Sequence, residues 1–253
     1  MSGWEKIAHM REPRIYVEMN LAGEESLDLP ANSAHHVSRV LRMRSGQRLW
    51  LFNGNGPAEL AEIVAIDRRK VAVKLLQQQH DGCESSLEIT LVQCISRAQH
   101  MDYTLQKAVE LGVSRIVPIA SEFSNVKISD DREATKLKHW QQVIVSATEQ
   151  CGRNRLARIE PPMPMQQWFD MEDNETRLIL HPSGSSGLGD ISPLNNRLSL
   201  LAGPEGGFSD DEVKLALAHD YLQVGLGPRI LRTETAPVAA LSLCQFLWGD
   251  LAG

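Results

Sequence analysis

Short runs in which apolar and polar residues alternate fill the first third of the chain, a pattern that predicts β-strands. Asn32 or Ser33 can cap one short helix over Ala34–Arg42, and Gly46 follows its end. Several strands with one helix predict a small barrel, and the polar run Gln77–Ser86 predicts a linker after it. The predicted strands are Arg14–Glu18, Arg48–Asn53, Ala58–Ile66 and Val71–Leu75.

From Leu87 onward strands alternate with helices, which predicts a parallel α/β sheet with helices on both faces. We therefore predict two domains, a barrel over residues 1–77 and an α/β domain over residues 78–253. Pro182–Asp190 is rich in Gly and Ser and predicts a flexible surface loop. The predicted strands are Leu87–Ile95, Val113–Ala120, Arg177–Leu180, Leu198–Ala202 and Tyr221–Gly225. The predicted helices are Tyr103–Leu111, about Arg132–Gln150, and two that begin near Ser209 and Thr235.

Charge is distributed unevenly between the two predicted domains. The net charge is −6, yet residues 1–77 carry 11 Lys and Arg against 9 Asp and Glu. Residues 78–253 carry 15 against 23. Because an acidic protein repels polyanions, any contact with RNA is expected at local basic patches, chiefly in the first domain.

Several classes of protein are disfavoured by composition. Hydrophobic residues make up 42% of the chain, enough for a core, but the longest apolar stretch, Ala236–Trp248, is too short and too interrupted to span a bilayer. The first residues lack an apolar signal region, and the four cysteines are widely spaced. His35 and His36 are adjacent and diverge on a helix, so they form no metal pair. We expect a cytoplasmic protein without a metal or a membrane partner.

A glycine-rich segment follows the predicted strand Leu198–Ala202. Gly203–Gly207 (GPEGG) leads into Ser209, and Glu212 stands at capping-box spacing from it, which predicts a helix start. Glycines between a strand and a helix let backbone amides approach a ligand closely, although an ordinary tight connection has the same pattern.

Acidic residues around these glycines argue against a phosphate-binding loop. Glu205, Asp210 and Asp211 stand where a phosphate would meet the helix N-terminus, and no Lys follows the glycines. A positively charged nucleoside without phosphates suits the loop better, and S-adenosylmethionine fits that description. An enzyme acting on nucleotide phosphates is therefore disfavoured.

A second loop with functional character spans Val224–Pro237 (VGLGPRILRTETAP). Gly225, Gly227 and Pro228 shape its turn, Thr235 can cap the following helix, and the proline stands in the first helical turn. Two such loops at the carboxyl ends of strands form the crevice in which α/β folds bind ligands. The alternative is that this segment only connects a strand to a helix and that its charged residues lie on the surface without a function.

Four motifs resemble the bacterial small-subunit ribosomal RNA uracil-N3 methyltransferases, which belong to the knotted class called SPOUT. They are GPEGGFSDDE, LGPRILRTETA, QKAVELGV (Gln106–Val113) and EQCGRN (Glu149–Asn154). Arg14–Val17 and His35–Gln47 resemble the RNA-binding, PUA-like barrel of the same family. The resemblance extends from Arg14 to about Gly249, and only residues 1–13 and 163–190 are weakly patterned.

The resemblance implies properties that periodicity does not show. The pattern alone favours a doubly wound open sheet. The resemblance instead implies an α/β domain that contains a deep trefoil knot, preceded by a PUA-like β-barrel. It implies a homodimer with its active site near the subunit interface. It also implies that knot loops hold S-adenosylmethionine mainly through backbone groups. The residues matched to these loops are Leu180, His181, Leu201, Ala202, Gly203, Pro204, Glu205, Gly206, Gly207, Val224, Leu226, Gly227, Ile230, Leu231, Arg232, Thr235 and Ala236.

Methylation of uracil N3 requires that the base lie outside its stack and that N3 lose a proton. Arg232 is predicted to contact a uracil carbonyl and to stabilise the anion that forms. The alternative is a structural ion pair with Glu234 or Glu205. Both glutamates are candidates for the proton acceptor, or for contact with the methyl donor.

Two basic clusters are candidates for RNA contact. Arg39 and Arg42 are predicted to share a helix face in the net-basic domain, although charge runs are often only solvated. The second cluster is Arg153, Arg155 and Arg158, at the end of the predicted long helix. Contact with RNA phosphates and a simple match to the negative end of the helix dipole are equal alternatives there. The predicted contacts are Arg14, Tyr16, His36, Arg39, Arg42, Arg44, Arg153 and Asn154.

The predicted partner is 16S ribosomal RNA, either free or in the assembled small subunit. Methylation of a ribose 2′-hydroxyl or of another base remains an alternative within the same class. A non-catalytic RNA-binding protein on the same scaffold is the alternative from another class, and it is disfavoured because both loops are intact.

Overall fold

The computed structural model describes residues 12–67, 70–80, 82–124, 130–171, 175–184 and 186–252, without the side chains of residues 130–132. Two compact units are present. The first combines Met1–Glu84 with Thr148–Leu156, and the second combines Ser85–Ala147 with Ala157–Gly253. The predicted division between residues 77 and 78 stays a proposal. A single boundary does not separate the two units, because residues 148–156 belong to the first unit although they follow part of the second.

The first unit contains a five-stranded sheet in the order β1-β3-β4-β5-β2. Strands β1 and β3 are parallel, and the other neighbours are antiparallel. Its core is built from the apolar residues that alternate along these strands, among them Leu49, Leu51 and Ile63, all fully buried. The strands are β1 (Arg14–Tyr16), β2 (Ser26–Asp28), β3 (Arg48–Phe52), β4 (Ala58–Ile66) and β5 (Val71–Gln79).

The helix of the first unit differs from its prediction. Helix α1 (Ala31–His35) begins one residue after Pro30 and continues as a π-helix over His36–Val40. The predicted caps were wrong, because Asn32 and Ser33 lie inside the helix. The Ser33 hydroxyl instead donates to Tyr16 O at 3.2 Å. Pro30 is the N-cap residue and has no side-chain donor or acceptor, and its carbonyl accepts the first helical hydrogen bond, from Ala34 N at 2.8 Å.

The second unit is built on a parallel sheet in the order β12-β10-β11-β6-β7-β8, and β9 also pairs with β7. This confirms the predicted parallel α/β sheet. The strands are β6 (Glu88–Cys94), β7 (Arg115–Ala120), β8 (Arg158–Ile159), β9 (Met163–Pro164), β10 (Thr176–Leu180), β11 (Arg197–Ala202) and β12 (Leu222–Val224). The helices are α2 (Ala98–Glu110), α3 (Asp130–Cys151), α4 (Met165–Phe169), α5 (Asp210–Ala218) and α6 (Thr235–Trp248).

Buried strands account for the apolar runs of the second unit. Ile89, Leu91, Leu178 and Leu200 are fully buried, as expected for parallel strands covered on both sides. Strands β12, β10 and β11 are neighbours and run in the same direction, so their carboxyl ends meet at one edge of the sheet. The loops that leave these three ends are thereby brought together.

Two helix starts test the capping predictions in this unit. Ser209 caps α5 in a full capping box: Glu212 N donates to Ser209 Oγ at 3.3 Å, and Ser209 N donates to Glu212 Oε2 at 2.9 Å. That prediction is confirmed. The predicted cap at Thr235 was wrong, because Glu234 occupies the N-cap position of α6 and no side chain caps it.

The knot and the possibility of a membrane span are the remaining points about the fold. The trefoil knot that the resemblance implies stays a prediction. Within the described ranges, no helix is both long enough and apolar enough to cross a bilayer.

Candidate cofactor and catalytic site

A cavity of about 650 Å³ lies where the loops after β10, β11 and β12 meet. It is lined by glycine-rich backbone, apolar side chains and a few charged groups, as expected for a small-molecule site. The lining residues are His100, Leu180, His181, Pro182, Ala202, Gly203, Pro204, Glu205, Gly206, Gly207, Phe208, Val224, Leu226, Gly227, Arg229, Ile230, Leu231, Arg232, Thr233, Glu234 and Ala236.

Hydrogen bonds hold the three loops against one another. The Thr233 hydroxyl donates to Gly203 O at 2.8 Å, which ties the loop before α6 to the loop after β11. His181 N donates to Val224 O at 3.0 Å, which joins the ends of β10 and β12. The walls of the cavity are therefore fixed by contacts between segments far apart in the sequence.

Two glycines allow a close backbone approach beside the cavity. A Cβ atom on Gly184 would lie 2.3 Å from both Gly225 N and the carbonyl carbon of Val224. Ser186 also pairs with Val224, and Leu188 is 7% exposed. Most described residues of Pro182–Asp190 are exposed, which agrees with the predicted surface loop, while its pairing with β12 fixes one part of it. The flexibility of the loop stays a prediction.

The structure brings together all the predicted cofactor residues except two. Leu201 is fully buried in an apolar cluster of the sheet, and Thr235 does not line the cavity. The sequence analysis missed other lining residues, and His100 is the most distant of them in the sequence. Its only local signal is a position in the first turn of the helix that follows a buried strand. Cofactor binding by the predicted residues stays a proposal.

Three titratable groups meet at this cavity. His100 Nδ1 lies 3.1 Å from Glu205 Oε1 and 3.7 Å from Glu234 Oε2. Glu205 Oε1 also accepts a hydrogen bond from Arg97 N at 3.0 Å. Burial raises the pKa of Glu205, but the hydrogen bonds from Arg97 N, its own N–H and His100 outweigh it, so the net pKa is lowered. Glu205 is therefore held as a carboxylate.

Arg232 lines the cavity and is exposed. Among the described residues, its guanidinium forms no hydrogen bond or ion pair, so the alternative of a structural pair with Glu205 or Glu234 is not realised in this structure. Its carbonyl accepts from Thr235 N at 2.9 Å and from Ala236 N at 3.0 Å, which anchors its backbone. The side chain is thus available to a ligand.

In the first unit, the predicted basic patch is exposed, but its geometry differs from the prediction. Arg39, Arg42 and Arg44 are exposed, and His36 is half-buried. The π-helix ends at Val40, and Arg42 follows it with φ +53°. The predicted common helix face of Arg39 and Arg42 was therefore wrong, because the chain leaves the helix between them.

The remaining predicted RNA contacts form a partly buried network within the first unit. Arg153 is 4% exposed and pairs with Glu84 at 2.9 Å, and Arg14 donates to Arg153 O at 3.2 Å and to the Asn154 side chain. Tyr16 N donates to a carboxylate oxygen of Glu149 at 2.9 Å. Arg153 and Asn154 are thus buried and paired within the first unit and offer little surface to RNA, so their contact with RNA stays a prediction.

Metal binding has no candidate in the part of the chain that the structure describes. Within it, no group of three or more His, Cys, Asp or Glu side chains is placed to hold an ion.

Comparison with known proteins identifies the family of both units. The model of an RNA methyltransferase domain matches residues 83–245, and that of an RNA methyltransferase PUA domain matches residues 29–76. A ribosomal RNA small subunit methyltransferase E of Buchnera aphidicola subsp. Schizaphis graminum is 35% identical, over 96% of this chain and 99% of the relative. The Bacillus subtilis protein of that name is 27% identical, over 87% and 90%.

Solved structures agree with this result. A ribosomal RNA small subunit methyltransferase E from Neisseria gonorrhoeae, bound to S-adenosyl methionine, is 38% identical with a TM-score of 0.89, over 95% of this chain and 99% of that one. A Legionella pneumophila protein in complex with the bound cofactor SAM is 39% identical with a TM-score of 0.90, over 95% and 100%. The resemblance read from the motifs is thus confirmed, and this chain belongs to the ribosomal RNA small subunit methyltransferase E family.

Proposed function

We propose that this protein transfers the methyl group of S-adenosylmethionine to N3 of a uracil in 16S ribosomal RNA. The observation that carries the proposal is the cavity built by the loops after β10, β11 and β12. Structures that resemble this chain over nearly all their length were solved with that methyl donor bound. Relatives similar over most of the chain are named as small-subunit ribosomal RNA methyltransferases.

The residues of the cavity fit the methyl donor chemically. Leu180, Leu226 and Leu231 offer apolar surface to an adenine ring, and the glycine-rich loops offer backbone groups to its polar edges. Glu205 and Glu234 suit the positive charge of a sulfonium or an ammonium group. When bound, S-adenosylmethionine supplies the electrophilic methyl group.

Arg232 supports the choice of a base that becomes negatively charged during the reaction. Uracil N3 must lose its proton, and the negative charge then spreads to the neighbouring carbonyl oxygens. A guanidinium with no partner in the described structure can stabilise that charge through fork-like hydrogen bonds. N3 also lies on the Watson–Crick edge, so the target uracil must be unpaired when it enters the site.

Methyl transfer from labelled S-adenosylmethionine to small subunits that lack the modification tests the proposal directly. Label recovered as 3-methyluridine after nucleoside analysis supports the donor, the reaction and the substrate together. Label in a ribose methyl group or in another base contradicts the assignment of uracil N3. Failure to bind the donor contradicts the cofactor site itself.

We expect the basic patch of the first unit to contact the RNA backbone. Changing Arg39→Glu together with Arg42→Glu should weaken binding and lower the slope of log K against log salt, by about 0.7–0.9 for each phosphate that is no longer neutralised. Titrations of RNA at several salt concentrations measure this. Lys138→Glu with Lys214→Glu changes the net charge equally at exposed sites of the second unit and serves as the control. Equal effects in both variants would leave only a general charge effect.

We further propose that the protein acts as a homodimer, as the resemblance implies. Leu243, Phe246 and Leu247 lie at helical spacing on α6 and are 44%, 57% and 41% exposed, and Ile230 of the cavity loop is 86% exposed. We expect sedimentation to give about twice the chain mass of 28.2 kDa, and Phe246→Glu to reduce it toward one chain. A monomer at micromolar concentration contradicts the proposal.

We also propose a cytoplasmic location, because a protein that modifies bacterial ribosomal RNA must be where ribosomes are assembled.

A further inference from the structure

We infer that His100 accepts the N3 proton of the substrate uracil, with Glu205 and Glu234 orienting its ring and stabilising the imidazolium that forms. The inference rests on the proposed function, since it assumes that a uracil enters the cavity. It gives the proton to a residue that neither glycine-rich loop contains, and it gives the two glutamates supporting roles.

His100 reaches the cavity from a different element than the three loops, although β6 and β11 are parallel neighbours. It is the third residue of α2, which follows β6, whereas the other lining residues follow β10, β11 and β12. Its side chain is 32% exposed, so the ring is neither sealed in the core nor loose at the surface. A general base has to satisfy both conditions, because it must be held in place and still reach the substrate.

The hydrogen bond to Glu205 fixes the tautomer of the ring. An ionised carboxylate can only accept, so the Nδ1 atom at 3.1 Å must carry the hydrogen and donate it. Nε2 then keeps its lone pair. Among the hydrogen bonds of the described residues, none engages His100 Nε2. A carboxylate that orients an imidazole in this way prepares the opposite nitrogen to take a proton.

Glu205 itself is a poor proton acceptor. Its Oε1 atom accepts hydrogen bonds from Arg97 N and from His100 Nδ1. These hydrogen bonds outweigh the effect of burial, which raises the pKa, so the pKa of this carboxyl is lowered. A group with a lowered pKa holds a proton weakly. Its contacts instead tie the loop after β11 to the start of α2.

Glu234 has a different role. Its Oε2 atom is buried without a hydrogen-bond partner among the described residues, and it lies 3.7 Å from His100 Nδ1. A buried carboxylate oxygen left without a donor favours positive charge beside it. Formation of an imidazolium at His100 would supply that charge, so Glu234 stabilises the product of the proton transfer.

The other charged groups at the cavity do not offer an equivalent base. Arg229 and Arg232 also line it and carry permanent positive charge. His181 lines it too, but its Nδ1 contacts Ser183 Oγ and Gln223 Nε2, each at 2.8 Å, and no carboxylate contacts its ring among the described residues. His100 is therefore the lining histidine whose ring is paired with acidic groups.

The proton transfer balances without a further reactant. The N3–H bond of uracil breaks, and the proton moves to His100 Nε2. The electron pair left on N3 forms the bond to the methyl group supplied by the donor, whose sulfur keeps the electron pair of the C–S bond. The single positive charge of the donor is thus carried by the imidazolium at the end of the step, and solvent then removes the proton.

His100→Asn and His100→Gln test the inference on the full-length protein. Asparagine can still donate to Glu205 from a position close to Nδ1, but neither variant has an imidazole to take the proton. We expect kcat to fall by about 10²-fold or more in both, with S-adenosylmethionine affinity within about threefold of the parent. His139→Gln is the matched control, because His139 is 53% exposed and pairs with Asp102 outside the cavity.

The pH profile separates proton transfer from a structural effect. In the parent protein, kcat should rise with pH and reach a plateau, as expected when one group must be free of its proton to act as the base. In the variants the plateau should disappear, and kcat should keep rising as hydroxide takes over. Independently of activity, ¹⁵N NMR of labelled histidine should show Nδ1 protonated and Nε2 unprotonated for the signal that His100→Asn removes.

Each contrary result overturns the inference in a recognisable way. Parent-like kcat in either variant removes His100 from the reaction. A reduced kcat with an intact plateau makes another group the base and leaves His100 a positioning residue. Loss of donor binding along with activity makes the contact to Glu205 structural. Recovery of 3-methyluridine from the parent protein shows in each case that the proposed function itself still holds.

Discussion

Replacing Arg232 with alanine is expected to reduce methyl transfer by about 10²- to 10³-fold, the usual cost of removing one donor that stabilises developing charge. The side chain lines the cavity, is exposed, and has no ion pair or hydrogen bond within the described structure. Its removal therefore leaves no buried partner without a counter-charge. Donor affinity should remain within about tenfold, because the loop backbone that lines the cavity is held by other contacts. Single-turnover kinetics and donor titration measure the two quantities separately.

Two further variants make this prediction sharper. Arg232→Lys keeps the charge but loses the planar fork, so it should recover only part of the rate if bidentate contact matters. Arg197→Ala is the control, because Arg197 begins β11, at the opposite edge of the sheet from the cavity, and pairs with Glu88 on the surface. Near-parent turnover in Arg232→Ala would remove this arginine from catalysis.

Replacing Gly184 with alanine is expected to have the second large effect, on the cofactor site and on stability. The new Cβ would lie 2.3 Å from backbone atoms of Val224 and Gly225, which cannot move aside as a flexible side chain does. The loops after β10 and β12 must separate, and Val224 is itself a lining residue. We expect donor affinity to fall about tenfold or more, and the free energy of unfolding to fall by about 1–3 kcal/mol.

Gly189→Ala is the matched control for that substitution. It lies in the same connection, and a Cβ on Gly189 would meet nothing within 4 Å. Isothermal titration with S-adenosylmethionine and urea denaturation should therefore show near-parent values for Gly189→Ala. Equal losses in the two variants would mean that the connection tolerates no side chain anywhere, and the close approach at Gly184 would then explain nothing specific.

Local sequence patterns predicted the features that depend on neighbouring residues. The capping box of Ser209 and Glu212 formed as predicted because both partners lie within one helical turn. The alternation of apolar runs with helical segments predicted the parallel sheet, since buried parallel strands need continuous apolar residues. The two glycine-rich loops of the cavity were also predicted from their pattern, and the family resemblance supplied the remaining lining residues that were named in advance.

Predictions that relied on helix geometry failed where the backbone departed from a regular helix. Arg39 and Arg42 do not share a helix face, because the π-helix ends at Val40 and Arg42 has a positive φ. Ser33 was predicted as a cap but bonds to Tyr16 O instead. Residue spacing assumes a regular α-helix, and the local pattern placed the helix start three residues too late, inside the actual helix Ala31–His35.

Charge in the sequence did not distinguish a surface from a buried network. Arg153 lies in a run of arginines, yet Glu84 and Arg14 enclose it within the first unit. The pairing arises because the end of α3 belongs to the first unit, together with Glu84 and Arg14. Burial is decided by contacts between segments far apart in the chain.

The sequence by itself determined the family, the two kinds of structural unit and the loops that form the cavity, because each depends on residues close together along the chain. Only the tertiary structure placed His100 on Glu205 and Glu234, which are separated from it by more than a hundred residues. The close approach of the Gly184 backbone to Gly225 was likewise decided by the fold. Both arrangements arise from the parallel order of β12, β10, β11 and β6, which carries distant loops to one edge of the sheet.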